Sequence, residues 1–218
     1  MIGFLHTSPV HVETFDRLTR QASADTETTH LVDESLLERA RRDGVDSVAA
    51  DVSARVHQLR DAGARVIVCT CSTIGDLAER FSDDVPVTRV DRPMARTAVA
   101  CGPRVGVIAA VESTLEPTRS LLEEEASAAG TSPSIELALV DGAWSAFEAG
   151  NTETYLRLIV DAARELAHRT DVIVLAQASM AAAEPGLADL AVPVLSSPAA
   201  AVRHAVAELV RRQSGPAR

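Results

Sequence analysis

The chain has 218 residues, 46% of them hydrophobic and 24% charged, close to the averages of globular proteins, which excludes disordered, collagen-like and coiled-coil chains. Its 21 basic and 31 acidic residues give a net charge of −10, and because an anionic surface repels phosphate backbones we expect no nucleic-acid partner. Aromatic residues make up only 3%, so the core must consist of Ala, Val, Leu and Ile. The length allows one large domain or two small ones.

Targeting and metal-binding signals are missing from the sequence. No apolar stretch approaches the roughly 20 residues of a membrane helix, and the first residues show no basic region followed by an apolar one. The three cysteines, Cys69, Cys71 and Cys101, are too few for a disulfide scaffold, and no His/Cys spacing matches a zinc site. We therefore expect a cytoplasmic protein with free thiols, no membrane association and no metal.

Short β-branched runs alternate with longer amphipathic stretches, which is the pattern of βαβ units around parallel sheets. In chain order, strands are predicted at residues 2–6, 29–32, 65–69, 85–90, 104–109, 134–140, 171–176 and 192–195. The helices between them are predicted at residues 10–21, 47–62, 74–81, 115–129, 152–167 and 199–212.

The succession of helix, strand, small polar turn and helix occurs twice. Segment 61–72 reads Asp-Ala-Gly-Ala-Arg-Val-Ile-Val-Cys-Thr-Cys-Ser, and segment 168–179 reads His-Arg-Thr-Asp-Val-Ile-Val-Leu-Ala-Gln-Ala-Ser. This weak duplication predicts an α/β protein of two pseudo-symmetric, doubly wound lobes with parallel sheets. We expect the first lobe at residues 1–98 with 196–218, and the second at 99–195.

The first candidate for chemistry is Cys71. Ligands of open parallel sheets bind at the carboxyl ends of the strands, and Cys71 follows an apolar strand there. It also precedes a helix whose first amides favour an anion, so that a thiolate is available as base or nucleophile. The alternative is a buried small apolar residue, the usual fate of a free cysteine. Cys69 is assigned to the core, and Cys101 has no assigned role.

Histidines and hydroxyls supply the other candidates. His6 ends the first strand, where it could act as an acid/base or bind a substrate carboxylate; alternatively it only hydrogen-bonds a neighbouring loop, and His11 could face the site instead. The remaining histidines are interpreted as ordinary surface or helix residues: His30, His57, His168 and His204. Hydroxyls after the strands that could bind a carboxylate, or simply cap helices, are Thr7, Ser72, Thr73, Ser113, Thr114, Ser179 and Ser196. No phosphate-binding glycine motif is present, so no nucleotide is expected.

Five motifs share a pattern with one known superfamily. They are Ile2-Gly-Phe-Leu-His-Thr, Val66-Ile-Val-Cys-Thr-Cys-Ser-Thr, Val87-Thr-Arg-Val-Asp before an alanine-rich helix, Arg104-Val-Gly-Val-Ile-Ala with Ser113-Thr-Leu-Glu-Pro-Thr, and Asp171-Val-Ile-Val-Leu-Ala-Gln-Ala-Ser-Met. With these motifs the chain resembles the aspartate/glutamate racemase superfamily, which also contains hydantoin racemases, maleate isomerases and arylmalonate decarboxylases. The resemblance implies two α/β lobes, an inter-lobe cleft, no cofactor, a homodimer, and racemases with one catalytic cysteine in each lobe.

The second cysteine motif departs from the superfamily. Gln177 occupies the position of the second cysteine, and an amide does not shuttle a proton at neutral pH. We therefore expect a cofactor-independent racemase- or isomerase-like enzyme for a small carboxylate or amino acid, with Cys71 and His6 as proton carriers. Residues expected to bind the substrate are Thr7, Ser72, Thr73, Ser113, Thr114, Gln177 and Ser179. The alternatives are a single-cysteine decarboxylase of a malonate-like acid and a catalytically inactive two-lobed binding protein.

Overall fold

The computed structural model describes residues 1–214 and separates into two compact units. The first unit is Met1–Val90 together with the segment from Pro198 onward, and the second is Asp91–Ser197. Each contains a four-stranded sheet in which all neighbouring strands are parallel, with helices on its faces. The predicted α/β class and the parallel sheets are confirmed.

The elements are numbered along the chain. The strands are β1 (Ile2–His6), β2 (Thr28–Val32), β3 (Val66–Cys69), β4 (Val87–Arg89), β5 (Arg104–Ala109), β6 (Ser134–Leu139), β7 (Val172–Leu175) and β8 (Val194–Ser196). The α-helices are α1 (Val12–Ala22), α2 (Glu34–Asp43), α3 (Ala49–Asp61), α4 (Ser72–Glu79), α5 (Arg92–Cys101), α6 (Leu115–Ala128), α7 (Ala143–Glu148), α8 (Thr152–Ala167) and α9 (Ser197–Gln213). Short 3-10 segments occupy Pro9–His11, Val45–Val48, Glu112–Thr114 and Ala178–Leu187.

The first sheet has the order β2-β1-β3-β4 and is covered on both faces. Since side chains alternate along a strand, Phe4 and Val68 pack with residues of α1 and α9 on one face. Leu5 and Cys69 pack on the other face with residues of α2, α3 and α4. This double burial explains why the central strands are nearly continuous apolar runs.

The second sheet repeats this arrangement with the order β6-β5-β7-β8. One face packs on residues of α5 and α6, among them Met94 and Leu121. The other packs on α7, α8 and the segment Ala178–Leu187. No helix within residues 1–214 is long and apolar enough to cross a membrane.

The pairing registers make the two units directly comparable. Leu5 pairs with Cys69 in the first sheet as Ile108 pairs with Leu175 in the second. The next amide donates to the matching carbonyl in both: Thr70 to Leu5 at 2.9 Å, and Ala176 to Ile108 at 3.0 Å. Residue 71 of the first unit therefore corresponds to residue 177 of the second.

Several predicted boundaries differ from the structure. Helix α2 was not predicted, because its sequence is strongly charged and only Leu36 and Ala40 are buried. Helix α7 and the segment Ala178–Leu187 were also not predicted. Helix α5 lies in the second unit, where it packs against α6 and β7, whereas the expected division at residue 99 placed most of it in the first.

The close contact between β5 and α8 gives a test of this packing. A Cβ at Gly106 would lie 2.5 Å from Leu166 Cδ2 and 3.0 Å from Thr170 Cγ2. We expect Gly106→Ala to destabilise the second unit by about 1–3 kcal/mol in urea unfolding, because the added methyl overpacks the core. In combination with Leu166→Ala it should cost less than the sum of the two single changes, and strict additivity would contradict this account.

Candidate functional site

The topology of each sheet places its ligand-binding edge. In each sheet the second strand of the unit pairs with one side of the first strand, and the third strand pairs with its other side. Open parallel sheets bind ligands at the carboxyl ends of the two strands between which the direction of the chain switches in this way. These strands are β1 and β3 in the first unit and β5 and β7 in the second. The predicted site residues follow these four strands, so each unit gathers its own share at one sheet edge.

Cys71 lies immediately before helix α4, at the end of β3. Its backbone is extended, with φ −111° and ψ 115°, and the residue is 8% exposed. The helix begins at Ser72, two residues earlier than predicted, so its first turn starts directly beside the thiol. Cys69 is fully buried and its thiol donates to the Cys71 carbonyl at 3.7 Å, whereas Cys101 is exposed. Cys71 is thus the thiol at the ligand-binding edge.

Helix α4 is fixed beneath Cys71 by a buried arginine that the sequence analysis did not single out. Arg89, at the end of β4, is 2% exposed, and its Nη2 donates to the Ser72 carbonyl at 3.4 Å. Its backbone amide donates to Glu79 Oε1 at 3.0 Å, at the other end of the helix. A Cβ at Gly75 would lie 2.7 Å from Arg89 Cβ, so glycine permits this close approach. A glycine inside an amphipathic helix was the available signal for it.

His6 is completely buried, and both of its ring nitrogens have partners. Nδ1 lies 2.9 Å from Thr70 Oγ1, and Nε2 lies 2.8 Å from His30 Nδ1. Burial, with repulsion from His30 and His11, lowers the pKa of His6 to about 3, against a smaller opposing attraction from Asp16. The imidazole is therefore neutral at neutral pH.

His30 is not the ordinary surface or helix residue that was expected. It lies in β2, half-buried, with its ring parallel to that of His6 at a centroid distance of 5.1 Å. Its Nε2 is 3.1 Å from Asp16 Oδ1, which also accepts from the Thr28 hydroxyl at 2.6 Å. Burial acts to raise the pKa of Asp16, but the hydrogen bonds from Thr28 and His30 outweigh it and lower the pKa.

His11, the other histidine considered for this edge, lies apart from this hydrogen-bonded chain. Its ring meets Phe15 edge-on at 6.5 Å, and burial lowers its pKa.

The hydroxyls predicted to bind a carboxylate differ in exposure. Thr7 and Thr114 are buried at 9% and 4% exposure, Thr73 is half-buried and Ser113 is exposed. Across residues 1–214, the hydroxyls of these four residues make no hydrogen bond. They can therefore donate to a ligand at the edge of their own unit.

Gln177 has a fixed orientation at the end of β7. The backbone amide of Ala110 donates to its Oε1 at 2.6 Å, and since an N–H can only donate, the side-chain oxygen must face β5. The NH₂ group is left as a donor at the sheet edge, with no protein acceptor within residues 1–214. Close by in sequence, the Ser179 hydroxyl bonds the buried Tyr155 hydroxyl at 2.8 Å. Burial raises the pKa of Tyr155, opposed by this bond.

The described residues contain no group of three or more His, Cys, Asp or Glu side chains arranged to hold a metal ion. The chain thus consists of two α/β units of matching strand order and register, with a cysteine after the third strand of one and a glutamine at the matching place in the other. It belongs to the Asp/Glu/hydantoin racemase family, whose family model matches residues 6–205.

Solved structures share this fold at low sequence identity. Glutamate racemase isoform RacE1 from Bacillus anthracis is 17% identical with a TM-score of 0.74, over 99% of this chain and 82% of that one. Aspartate racemase from Picrophilus torridus is 15% identical with a TM-score of 0.71, over 94% of both chains. A mutant of arylmalonate decarboxylase is 18% identical with a TM-score of 0.62, over 99% of this chain and 94% of that one. No curated protein matches the chain.

The buried neutral His6 predicts a stability that falls in mild acid. The pKa of His6 is near 6.5 in the unfolded state and about 3 in the folded state. Between these two pH values the unfolded state therefore binds one more proton than the folded state. The contribution to the free energy of unfolding is complete above pH 6.5 and declines as the pH falls towards 3. The slope contributed by His6 approaches about 1.4 kcal/mol per pH unit below pH 6. Urea unfolding between pH 7 and 5 should show a smaller slope for His6→Ala, and an unchanged one for His168→Asn at an exposed site. Equal slopes in all three proteins would refute it.

Proposed function

We propose that the protein is a racemase- or isomerase-like enzyme that moves a proton at the carbon next to a carboxylate, without a cofactor, using the Cys71 thiolate. The observation that carries this proposal is the position of Cys71 at the switch point of the first sheet, directly before α4. The free amides at a helix start favour an anion beside them. Membership of the Asp/Glu/hydantoin racemase family supports proton transfer as the reaction class.

A small carboxylate or amino acid is the proposed substrate. In the first unit, Thr7, Ser72 and Thr73 follow β1 and β3 and offer hydroxyls at the edge where Cys71 lies. In the second unit, Ser113 and Thr114 precede helix α6, whose N-terminus likewise favours an anion. Hydrogen bonds to a charged carboxylate contribute about 1.5–3 kcal/mol each, so a few such donors suffice for a small anion.

Gln177 is proposed as a donor to the substrate and not as a proton carrier, with Ser179 beside it. Its carbonyl is occupied by the Ala110 amide, which leaves the NH₂ for an acceptor such as a carboxylate oxygen. Gln177 matches Cys71 by register, which supports a mechanism with a single thiol. His6 is proposed as the second proton carrier.

A single-cysteine decarboxylase is the second candidate. One thiol is sufficient to protonate an enolate after loss of carbon dioxide, and the similarity to arylmalonate decarboxylase favours this alternative. A catalytically inactive binding protein is the third. A homodimer, a cytoplasmic location and the absence of nucleic-acid and membrane partners stay predictions.

Proton NMR in deuterated water tests the proposal with a panel of amino acids, hydantoins, maleate and substituted malonates. We expect deuterium at the carbon next to the carboxylate of one substrate, and Cys71→Ala should slow this exchange at least about 100-fold because the proton carrier is gone. Cys101→Ala, which removes an exposed thiol, should leave the rate unchanged. An unchanged exchange rate in Cys71→Ala would contradict the thiol mechanism.

The same panel separates the alternatives. Release of carbon dioxide from a malonate without exchange in the other substrates would favour the decarboxylase. Silence across the panel, together with iodoacetamide alkylation of Cys71 no faster than that of the exposed Cys101 at any pH, would favour the binding protein.

Gln177→Glu tests the proposed donor. The new carboxylate cannot donate and repels an anionic substrate, so KM should rise about tenfold or more, while the deuterium exchange rate at saturation changes less. Gln21→Glu makes the same charge change at an exposed site of α1 and serves as the control. An unchanged KM in Gln177→Glu would remove Gln177 from the binding site.

A further inference from the structure

Three polar side chains of the first unit, two of them buried and one half-buried, stand where the second unit has apolar ones. By register His6 corresponds to Ala109, and Thr70 to Ala176. His30, opposite Phe4 in β2, corresponds to Leu137, opposite Val107 in β6. The residues of the second unit belong to a single apolar cluster. The fold is therefore satisfied by apolar residues at these positions.

The polar residues form one continuous hydrogen-bonded chain. It runs from Asp16 through His30 and His6 to Thr70, with contacts of 3.1, 2.8 and 2.9 Å. The Asp16 side chain at one end is 30% exposed, and Thr70 at the other end is 5% exposed and directly precedes Cys71. Burying polar groups has a desolvation cost that only complete hydrogen bonding offsets. A chain that the fold does not require, and that joins the solvent to the strand end, points to proton movement.

We propose that Asp16, His30, His6 and Thr70 act together as a proton relay that stores one proton on the His30–Asp16 pair and delivers it through His6 to the hydroxyl of Thr70. The inference rests on the proposed function, in which this relay is the second proton carrier. Asp16 and His30 are positioning residues in it, because they act through His6.

The proton balance of the relay follows from the donors and acceptors. Before transfer, the Thr70 hydroxyl donates to His6 Nδ1, His6 Nε2–H donates to His30 Nδ1, and His30 Nε2–H donates to the Asp16 carboxylate. In transfer, Thr70 gives its proton to His6 Nδ1 while taking one from the carbon acid of the substrate, directly or through one water. His6 passes its Nε2 proton to His30 Nδ1. One proton has then moved from the substrate to His30, and the reverse sequence returns it.

The recorded geometry accommodates both states. After transfer His6 Nδ1–H donates to Thr70 Oγ1, and the hydroxyl proton of Thr70 can turn to the Leu5 carbonyl, which lies 3.2 Å away. The charge then rests on His30, whose Nε2 is 3.1 Å from Asp16 Oδ1. Since His6 gives up one proton as it gains the other, it stays neutral throughout.

The surroundings of His6 favour this sequence over a charged His6. Within residues 1–214, His11 and Asp16 act electrostatically on His6 besides His30, and Arg20 of α1 acts on Asp16. On the same face, Ala201 and Ala205 of α9 pack in the apolar cluster with Phe4. The low pKa of His6 agrees with a relay that never holds an imidazolium there.

Nitrogen NMR of ¹⁵N-histidine-labelled full-length protein between pH 8 and 5 tests the relay without any substrate. We expect His6 and His30 both in the Nε2–H form at pH 8. As the pH falls, His30 should gain a second N–H while His6 changes to the Nδ1–H form in the same step. In Asp16→Asn this coupled step should be lost between pH 8 and 5, because the carboxylate that accepts from His30 Nε2–H and stabilises the charge is gone. Exposed His57 and His168 serve as internal references.

Two results would overturn the relay. One is titration of His6 to an imidazolium between pH 8 and 5. The other is titration of His30 with no change in the tautomer of His6. Thr70→Ala, the residue that the second unit carries at this place, should preserve the fold and the coupled step, because the coupling lies in the contact between His6 Nε2 and His30 Nδ1.

A second test of the relay measures deuterium exchange in the substrate that the panel identifies. Asp16→Asn and Thr70→Ala should each lower deuterium exchange about 10- to 100-fold with little change in KM, and Asp16→Glu should recover part of the loss. Asp25→Asn, a matched change at an exposed turn, should have no effect. Normal exchange in Asp16→Asn would overturn the relay while leaving the Cys71 proposal intact. If no substrate exchanges at all, the proposed function fails, and the histidine NMR still decides whether the coupled chain exists.

Discussion

The parallel pairing of the first and third strands is the constraint on which both halves of this protein depend. In the first unit it aligns Leu5 with Cys69, and in the second it aligns Ile108 with Leu175. Because parallel strands end at the same edge, this register brings the residues that follow them side by side. The Thr70 amide bonded to Leu5, and the Ala176 amide bonded to Ile108, carry the pairing one residue beyond the sheet and fix where each site begins.

A comparison of the two units distinguishes the residues that the fold requires from those that are free to serve the chemistry. Both units share the strand order, the register and a covering layer on each face. They differ near the strand ends, where Cys71 of the first unit is matched by Gln177 of the second. The hydrogen-bonded histidines and threonine of the first unit are matched by leucine and alanine in the second. A glutamine amide and a thiol have different capacities: the amide can bind a ligand through hydrogen bonds, whereas the thiol can also exchange a proton. The asymmetry therefore supports a division of labour between binding and proton transfer.

The sequence predicted the bounds of those helices and strands that are marked by the residues within them. The bounds of β1, β5 and α8 agree with the sequence-based ranges, because continuous apolar runs and a strong apolar stripe with an asparagine cap mark them. The role of His30 could not be predicted, since its partner His6 lies 24 residues away and meets it only through the β1–β2 register. The contact of Arg89 with Gly75 could not be predicted for a similar reason, because it depends on where α4 crosses β4.

The chain path of the first unit has a consequence for synthesis. This unit is interrupted after Val90 and completed by α9, whose Val202 and Leu209 pack in one cluster with Phe4 and Phe15. The second unit is a continuous segment, and domains generally fold as they leave the ribosome, the earliest complete one first. The second unit can therefore close while the first still lacks its last helix. The sheet face that carries the two histidines then stays exposed to water until α9 has been synthesised.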